Sequence, residues 1–151
     1  VGIGADDGDD VSTFTLGYDG DGFGGGLVIA TNDGEGGTSG YDTFGGGIYY
    51  SPESIDATFS VAYDTTDPES GADQTDLFFG VDYEVGPGIL SAAYNVTEVD
   101  GNDDLDSTGF EVSYSYDIND NVTITPGFFT VEDTSAGDDD SGVVVETSFS
   151  F

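Results

Sequence analysis

No side chain of this sequence can carry a positive charge. Lysine, arginine and histidine are absent, against 32 aspartates and glutamates, leaving a formal charge of −32 over 151 residues. Ordinary soluble domains mix both signs, so chance is a poor explanation of the bias. Nucleic acid is excluded as a partner because nothing can neutralise its phosphates. Anionic headgroups would be repelled unless divalent cations bridged them. Without histidine, lysine or cysteine, serine and threonine lack an ordinary base, there is no thiolate nucleophile, and His/Cys zinc sites cannot form. Carboxylate pairs remain, as in glycosidases, but no pair among so many is singled out, so the chain is read as no enzyme. With no cysteine there is no disulfide to report on redox compartment. No apolar run approaches the length of a membrane-crossing helix, although the strands of a membrane barrel need only about 9–11 residues. Val1 is not an initiator methionine, so the chain reads as processed or as part of something longer.

What is present is alternation. Nine tyrosines and eleven phenylalanines, with acids gathered between apolar segments, argue against disorder. "STFTLGYD" sets Phe14, Leu16 and Tyr18 against Thr13, Thr15, Gly17 and Asp19. "SIDATFSVAYD" sets Ile55, Ala57, Phe59, Val61 and Tyr63 against Asp56, Thr58, Ser60, Ala62 and Asp64. "FEVSYSYD" sets Phe110, Val112, Tyr114 and Tyr116 against Glu111, Ser113, Ser115 and Asp117, and the final "GVVVETSFSF" repeats the pattern. Such period-two runs are strands with two unlike faces. With a short N-terminal "VGIGA" there are about ten. Tight turns ("DGDG" 19–22, "SPES" 51–54, "GPG" 86–88, "NDN" 119–121) alternate with longer acidic loops. Tyrosine-to-turn spacing recurs every 32–34 residues, so the repeating unit is a hairpin.

Residues 1–151 therefore read as a single all-β domain or barrel segment, an antiparallel up-and-down meander. A soluble sandwich would turn the apolar face inward. Three features favour the opposite. The polar face is built mainly from Gly, Ser, Thr, Ala and Asp; tyrosines recur beside the short turns; and short turns on one rim face long loops on the other. Those are the marks of a transmembrane β-barrel, or part of a larger one, which leaves no free edge to lipid. The predicted aromatic girdle is Tyr18, Tyr50, Tyr83, Tyr116, Phe149 and Phe151. The predicted pore lining is Asp19, Asp56, Asp64, Asp82, Glu84, Glu111, Asp117 and Glu146. Carboxylates without basic partners need water or bound cations. This gives a wet, cation-preferring pore, to be weighed against a merely solvated lining without selective role.

The loop clusters Asp6–Asp10 and Asp138, Asp139 and Asp140 are candidates for Ca²⁺ or Mg²⁺, although none has the spacing of a known calcium loop. "NVT" at 95–97 and 121–123 matches a glycosylation sequon but falls in expected strands. "GFGGGL" and "FGGGI" open no helix, so they let strands bend or pack closely rather than bind nucleotide.

The stretch "GFEVSYSYDINDNVTITPGFFTVED", followed by an acidic loop and "GVVVETSFSF", resembles the C-terminal end of cyanobacterial outer-membrane porins. That group carries a surface-layer-homology domain and stands near the carbohydrate-selective porins. The resemblance covers roughly the last 45 residues; "YEVGPGILSAAYN" is similar to an earlier hairpin of marine members. It implies an outer-membrane barrel admitting small solutes or ions, in contact with outer-membrane lipid. It also implies that the barrel-assembly machinery recognises the last strand through Phe151. Family members are longer, with an N-terminal domain absent here, which suggests a C-terminal portion, a processed chain or a small relative. They also carry Lys and Arg at the constriction, so anion or sugar-phosphate selectivity does not carry over. Wide pores need more strands than ten, so a homo-oligomer is compatible with the sequence. The rival reading is an extracellular β-rich filament or surface-layer component with acidic loops.

Overall fold

The computed structural model describes residues 2–7, 11–34, 40–133 and 139–150. They form one sheet of ten strands in sequence order. These are β1 (Gly2–Asp7), β2 (Val11–Gly20), β3 (Phe23–Asn32), β4 (Tyr41–Tyr50) and β5 (Ala57–Pro68), then β6 (Gln74–Val85), β7 (Gly88–Val99), β8 (Ser107–Asn119), β9 (Val122–Asp133) and β10 (Asp139–Phe149). Every neighbouring pair is antiparallel. A single 3₁₀ turn, Asp103–Leu105, interrupts the β7–β8 connection. No described helix is long and apolar enough to cross a membrane.

The tight connections fix the register. Between β2 and β3, Gly22 takes a φ of +77°, a conformation that favours glycine, and its carbonyl accepts the Ser51 amide at 2.6 Å. Between β6 and β7, Gly86 takes a φ of +62° at the first central position of a two-residue hairpin turn, with Pro87 at the second. Between β8 and β9, Asn119 Oδ1 accepts the Asn121 amide at 3.0 Å beside a ladder irregularity at Asp117/Asn119. The sequon at 121–123 therefore starts in a turn, not in a strand.

Strand ends differ from the sequence expectation in two ways. Residues 54–56, read as the start of a strand, form the end of a turn and a bend, and β5 begins at Ala57; Asp56 consequently lies just before the strand. The Ser51–Gly22 bond holds this connection against its neighbouring hairpin, so the chain must turn before it can pair. Conversely, the acidic loops are shorter than their composition implies. β5 runs on to Pro68, paired with Tyr41, and β10 starts at Asp139, paired with Glu132. Hydrated strands pair their backbones as well as greasy ones, so acid content does not mark where pairing stops.

Opposed residues in a ladder share a face, and the register carries one face across the sheet without a break. Phe14 opposes Ile29, Ile29 opposes Phe44, and Phe44 opposes Thr65. Farther along, Val61 opposes Phe79, Phe79 opposes Tyr94, and Tyr94 opposes Phe110. The exposure of these faces is inverted relative to a water-soluble sheet. Along β5, Phe59, Val61 and Tyr63 are exposed while Thr58, Ser60, Ala62 and Asp64 are half-buried. Ile48 is 68% exposed and Val143 78%. The only buried hydrophobics described are Ala57 and Ala93, each at 9%, and no large side chain is fully buried.

A sandwich requires a second layer, and none is described: substantial contacts join sequence-neighbouring elements alone. Burying a large apolar side chain is worth about 1.5–3 kcal/mol. With no interior to receive these residues, only an apolar surrounding can supply that stabilisation. β1 and β10 are the two ends of the sheet and do not pair with each other, so the ring is open within this chain.

Candidate functional site

The polar face brings together carboxylates and hydroxyls from every strand from β2 to β10 except β3. One register row crosses it from Asp19 through Gly24, Tyr49 and Ser60 to Gly80, and on through Ala93 to Glu111 and Phe129. Half of that row is small, Gly24, Ser60, Gly80 and Ala93, and the other half carries acids and rings. Alternation from these pairings puts Asp19, Asp64, Asp82, Glu84, Glu111, Asp117 and Glu146 on this face. Asp56, in the bend before β5, lines a hollow of about 480 Å³ with Asp82, Glu84, Ser91 and Ser115.

The carboxylates are of two kinds. Some are held by a hydroxyl on another strand. Ser91 donates to Asp82 directly across the β6–β7 ladder, and Thr123 donates to Asp117 at 2.6 Å across β8–β9. Tyr49 Oη donates to Asp19 two strands away. Glu84, Glu111 and Glu146 stand exposed with longer, freer stems. In a chain without cations, neutral donors, hydroxyls and amides, are what remains to orient a carboxylate.

The structure adds Asp76, which the sequence reading passed over. It stands directly opposite Asp64 and accepts from Thr97 Oγ1 and, at 2.7 Å, from Gln74 Nε2. Counting back in twos from Asp82 would have found it. Asp140 of β10 shares the face, opposite Val131. Rings share the polar face as well. The doublets Tyr49–Tyr50, Phe78–Phe79 and Phe128–Phe129 each put one ring on either face, leaving Tyr49, Phe78 and Phe129 on the polar side.

On the apolar face, Tyr18, Tyr50, Tyr83, Tyr116 and Phe149 all lie toward the short-turn ends of their strands. Phe151 lies outside the described residues. Phe23 joins them, its ring centroid 5.1 Å from that of Tyr18, and Tyr114 Oη donates to the Val85 carbonyl at 3.1 Å. At the other end the same face carries Asp42, Asp67, Glu98, Glu132 and Asp139. Between these two borders the described face carries no carboxylate. It is an apolar band edged by aromatic rings on one side and by acids on the other.

Among the described residues, the loop candidates for a metal do not come together. Asp138 lies outside the described residues. Asp139 and Asp140 are consecutive strand residues, so their side chains leave β10 on opposite faces and cannot close on one ion together. Of the other cluster, Asp6 and Asp7 fall within β1 and residues 8–10 are not described. Among the described residues no group of three or more Asp or Glu has the geometry to hold a metal.

A chain with an inverted sheet and an aromatic-edged apolar band can be compared with known barrels. Residues 2–144 match the family model described as Gram-negative porin. The chain belongs to the Gram-negative porin family. Its place is therefore the bacterial outer membrane, and the family is one of channels rather than enzymes. Among solved structures, this porin is similar to an anion-selective porin from Comamonas acidovorans, with a TM-score of 0.79 at 13% identity. The match covers 93% of this chain and 49% of that one, so the chain spans about half the length of the porin it matches. At that identity the likeness shows the fold alone. No curated protein matches the sequence.

Proposed function

We propose that this sheet forms part of the wall of a water-filled pore for passive diffusion of small solutes or ions, and that the pore prefers cations. The observation that carries the preference is the polar face itself. It presents Asp19, Asp56, Asp64, Asp82, Glu84, Glu111, Asp117 and Glu146, with Asp76 added by the register, and no cation exists in the chain to offset them. A lumen lined by one sign of charge raises the local concentration of the opposite ion. The anion selectivity named for the Comamonas porin belongs to that protein; selectivity depends on wall side chains, and a likeness at 13% identity carries over the fold alone.

Within the family, we place the chain near the cyanobacterial group, on the "TITPG" strand and the aromatic ending that resemble it. The terminal strand would then serve as the signal read by the barrel-assembly machinery. Strands beyond these ten complete the ring, since a free edge in lipid leaves backbone groups unpaired.

The test is a reversal potential. The protein is taken in its native assembly from outer membranes into planar bilayers under a KCl gradient. A potential of the sign set by K⁺ permeation supports the reading; chloride preference, or no conductance, overturns it.

A further inference from the structure

Tyr49 stands on the polar face of β4, yet its hydroxyl is turned along the wall to Asp19 on β2. The other hydroxyl–carboxylate pairs on this face join residues directly opposite on adjacent strands, which local pairing alone explains. Tyr49 instead reaches across a whole strand. It can do so because Gly24, the β3 residue opposite both partners, has no side chain: a Cβ there would overlap Cε1, Cζ and Oη of the ring. Gly24 is in consequence one of the few buried residues in the sheet.

The surroundings single out the carboxylate at the end of this reach. Across β2, β3 and β4, Asp19 is the one acidic residue on the polar face. The next row toward the loops is bare, with Gly17, Gly26 and Gly47 opposed. Asp19 is thus the one carboxylate these three strands themselves contribute to the field over this sector, with Asp64 of β5 at its far border opposite Gly45. Tyr49 occupies Oδ1, Asp19 remains exposed, and the second oxygen is left for the lumen.

We propose that Tyr49 is a positioning residue that fixes Asp19 against the wall as a cation-recognition point of the pore; this rests on the cation-preferring reading above. A carboxylate already held in one rotamer meets a passing ion without an ordering cost, which a freely rotating one does not. Gly24 is the structural condition for the arrangement, and the ring laid over it covers backbone that would otherwise be bare.

The experiment is a double-mutant cycle in planar bilayers, using the native assembly of wild type, Tyr49→Phe, Asp19→Asn and the double variant. Tyr49→Phe keeps the ring over Gly24 and removes only the hydroxyl, so folding is retained, checked by heat-dependent mobility on gels. The K⁺/Cl⁻ permeability ratio is expected to fall about two- to tenfold in Tyr49→Phe, the span a net hydrogen bond covers. Asp19→Asn should lower it at least as far, and the double variant no further than Asp19→Asn alone. A cation-preferring wild type whose ratio is untouched by Tyr49→Phe, or effects that simply add, would overturn the inference and leave the pore reading standing. An anion-preferring wild type would overturn both.

Discussion

Asp73, in the connection between β5 and β6, lies among groups that oppose its charge. The negative charge of Asp67 raises its pKa first, followed by partial loss of water, a hydrogen bond with Asp67 and the charge of Asp100. The direction fixes a pH dependence. Between the usual carboxylate value of 3.8 and the raised one, the folded loop holds a proton that the unfolded chain has released. That contribution is present at low pH and lost as pH rises through the raised value. At neutral pH Asp73 is ionised and repelled, so Asp73→Asn should tighten the loop there and change little in acid. The Asp100 amide, which donates to the Asp73 carbonyl at 2.8 Å, reports it by hydrogen exchange. Slower exchange in the variant at pH 7, with the difference gone below the ordinary carboxylate range, is expected; faster exchange at pH 7 would contradict it. At this scale parity along a strand placed Asp19, Asp64, Asp82, Glu84, Glu111, Asp117 and Glu146 on the polar face, while Asp76, legible by the same parity, was passed over and Asp56 fell in the bend before β5. Parity did not show Tyr49 bonding to Asp19 across Gly24, since that depends on the register of three strands.

For the single strand, β5 makes the assignment of faces testable within two adjacent residues. Val61 is on the exposed apolar face between Ile48 and Phe79, and Ala62 is half-buried on the polar face between Gly47 and Phe78. If the apolar face meets lipid, Val61→Arg should destabilise the folded protein by about 2–4 kcal/mol, the cost of an arginine near the bilayer midplane. Ala62→Arg, entering a wet face rich in carboxylates, should cost less. Urea unfolding in lipid vesicles measures both, and the reverse order would contradict the assignment. Strand number and facing were legible because period-two alternation survives in every segment. Strand ends were not: Thr65–Pro68 and Asp139–Asp140 read as loop by composition, yet their backbones continue the ladder. Ile55 and Asp56 alternate correctly but fall in the bend that precedes Ala57, where Ile55 accepts the Ala57 amide at 2.8 Å.

At the scale of the whole molecule, the sheet has two faces and two free ends. The ends, β1 and β10, are unpaired with each other, and the chain spans about half of a similar porin; both accord with the larger ring proposed above. The faces carry the central claim, that lipid lies against one and water against the other. The absence of cysteine makes this directly measurable, because any introduced thiol is the only one in the chain. Single cysteines at 58 through 64 along β5, in the native assembly in membranes, would be reacted with a charged, water-soluble maleimide. Labelling should alternate, strong at Thr58, Ser60, Ala62 and Asp64 and weak at Phe59, Val61 and Tyr63. Uniform labelling, or labelling strongest at Phe59, Val61 and Tyr63, would contradict the account.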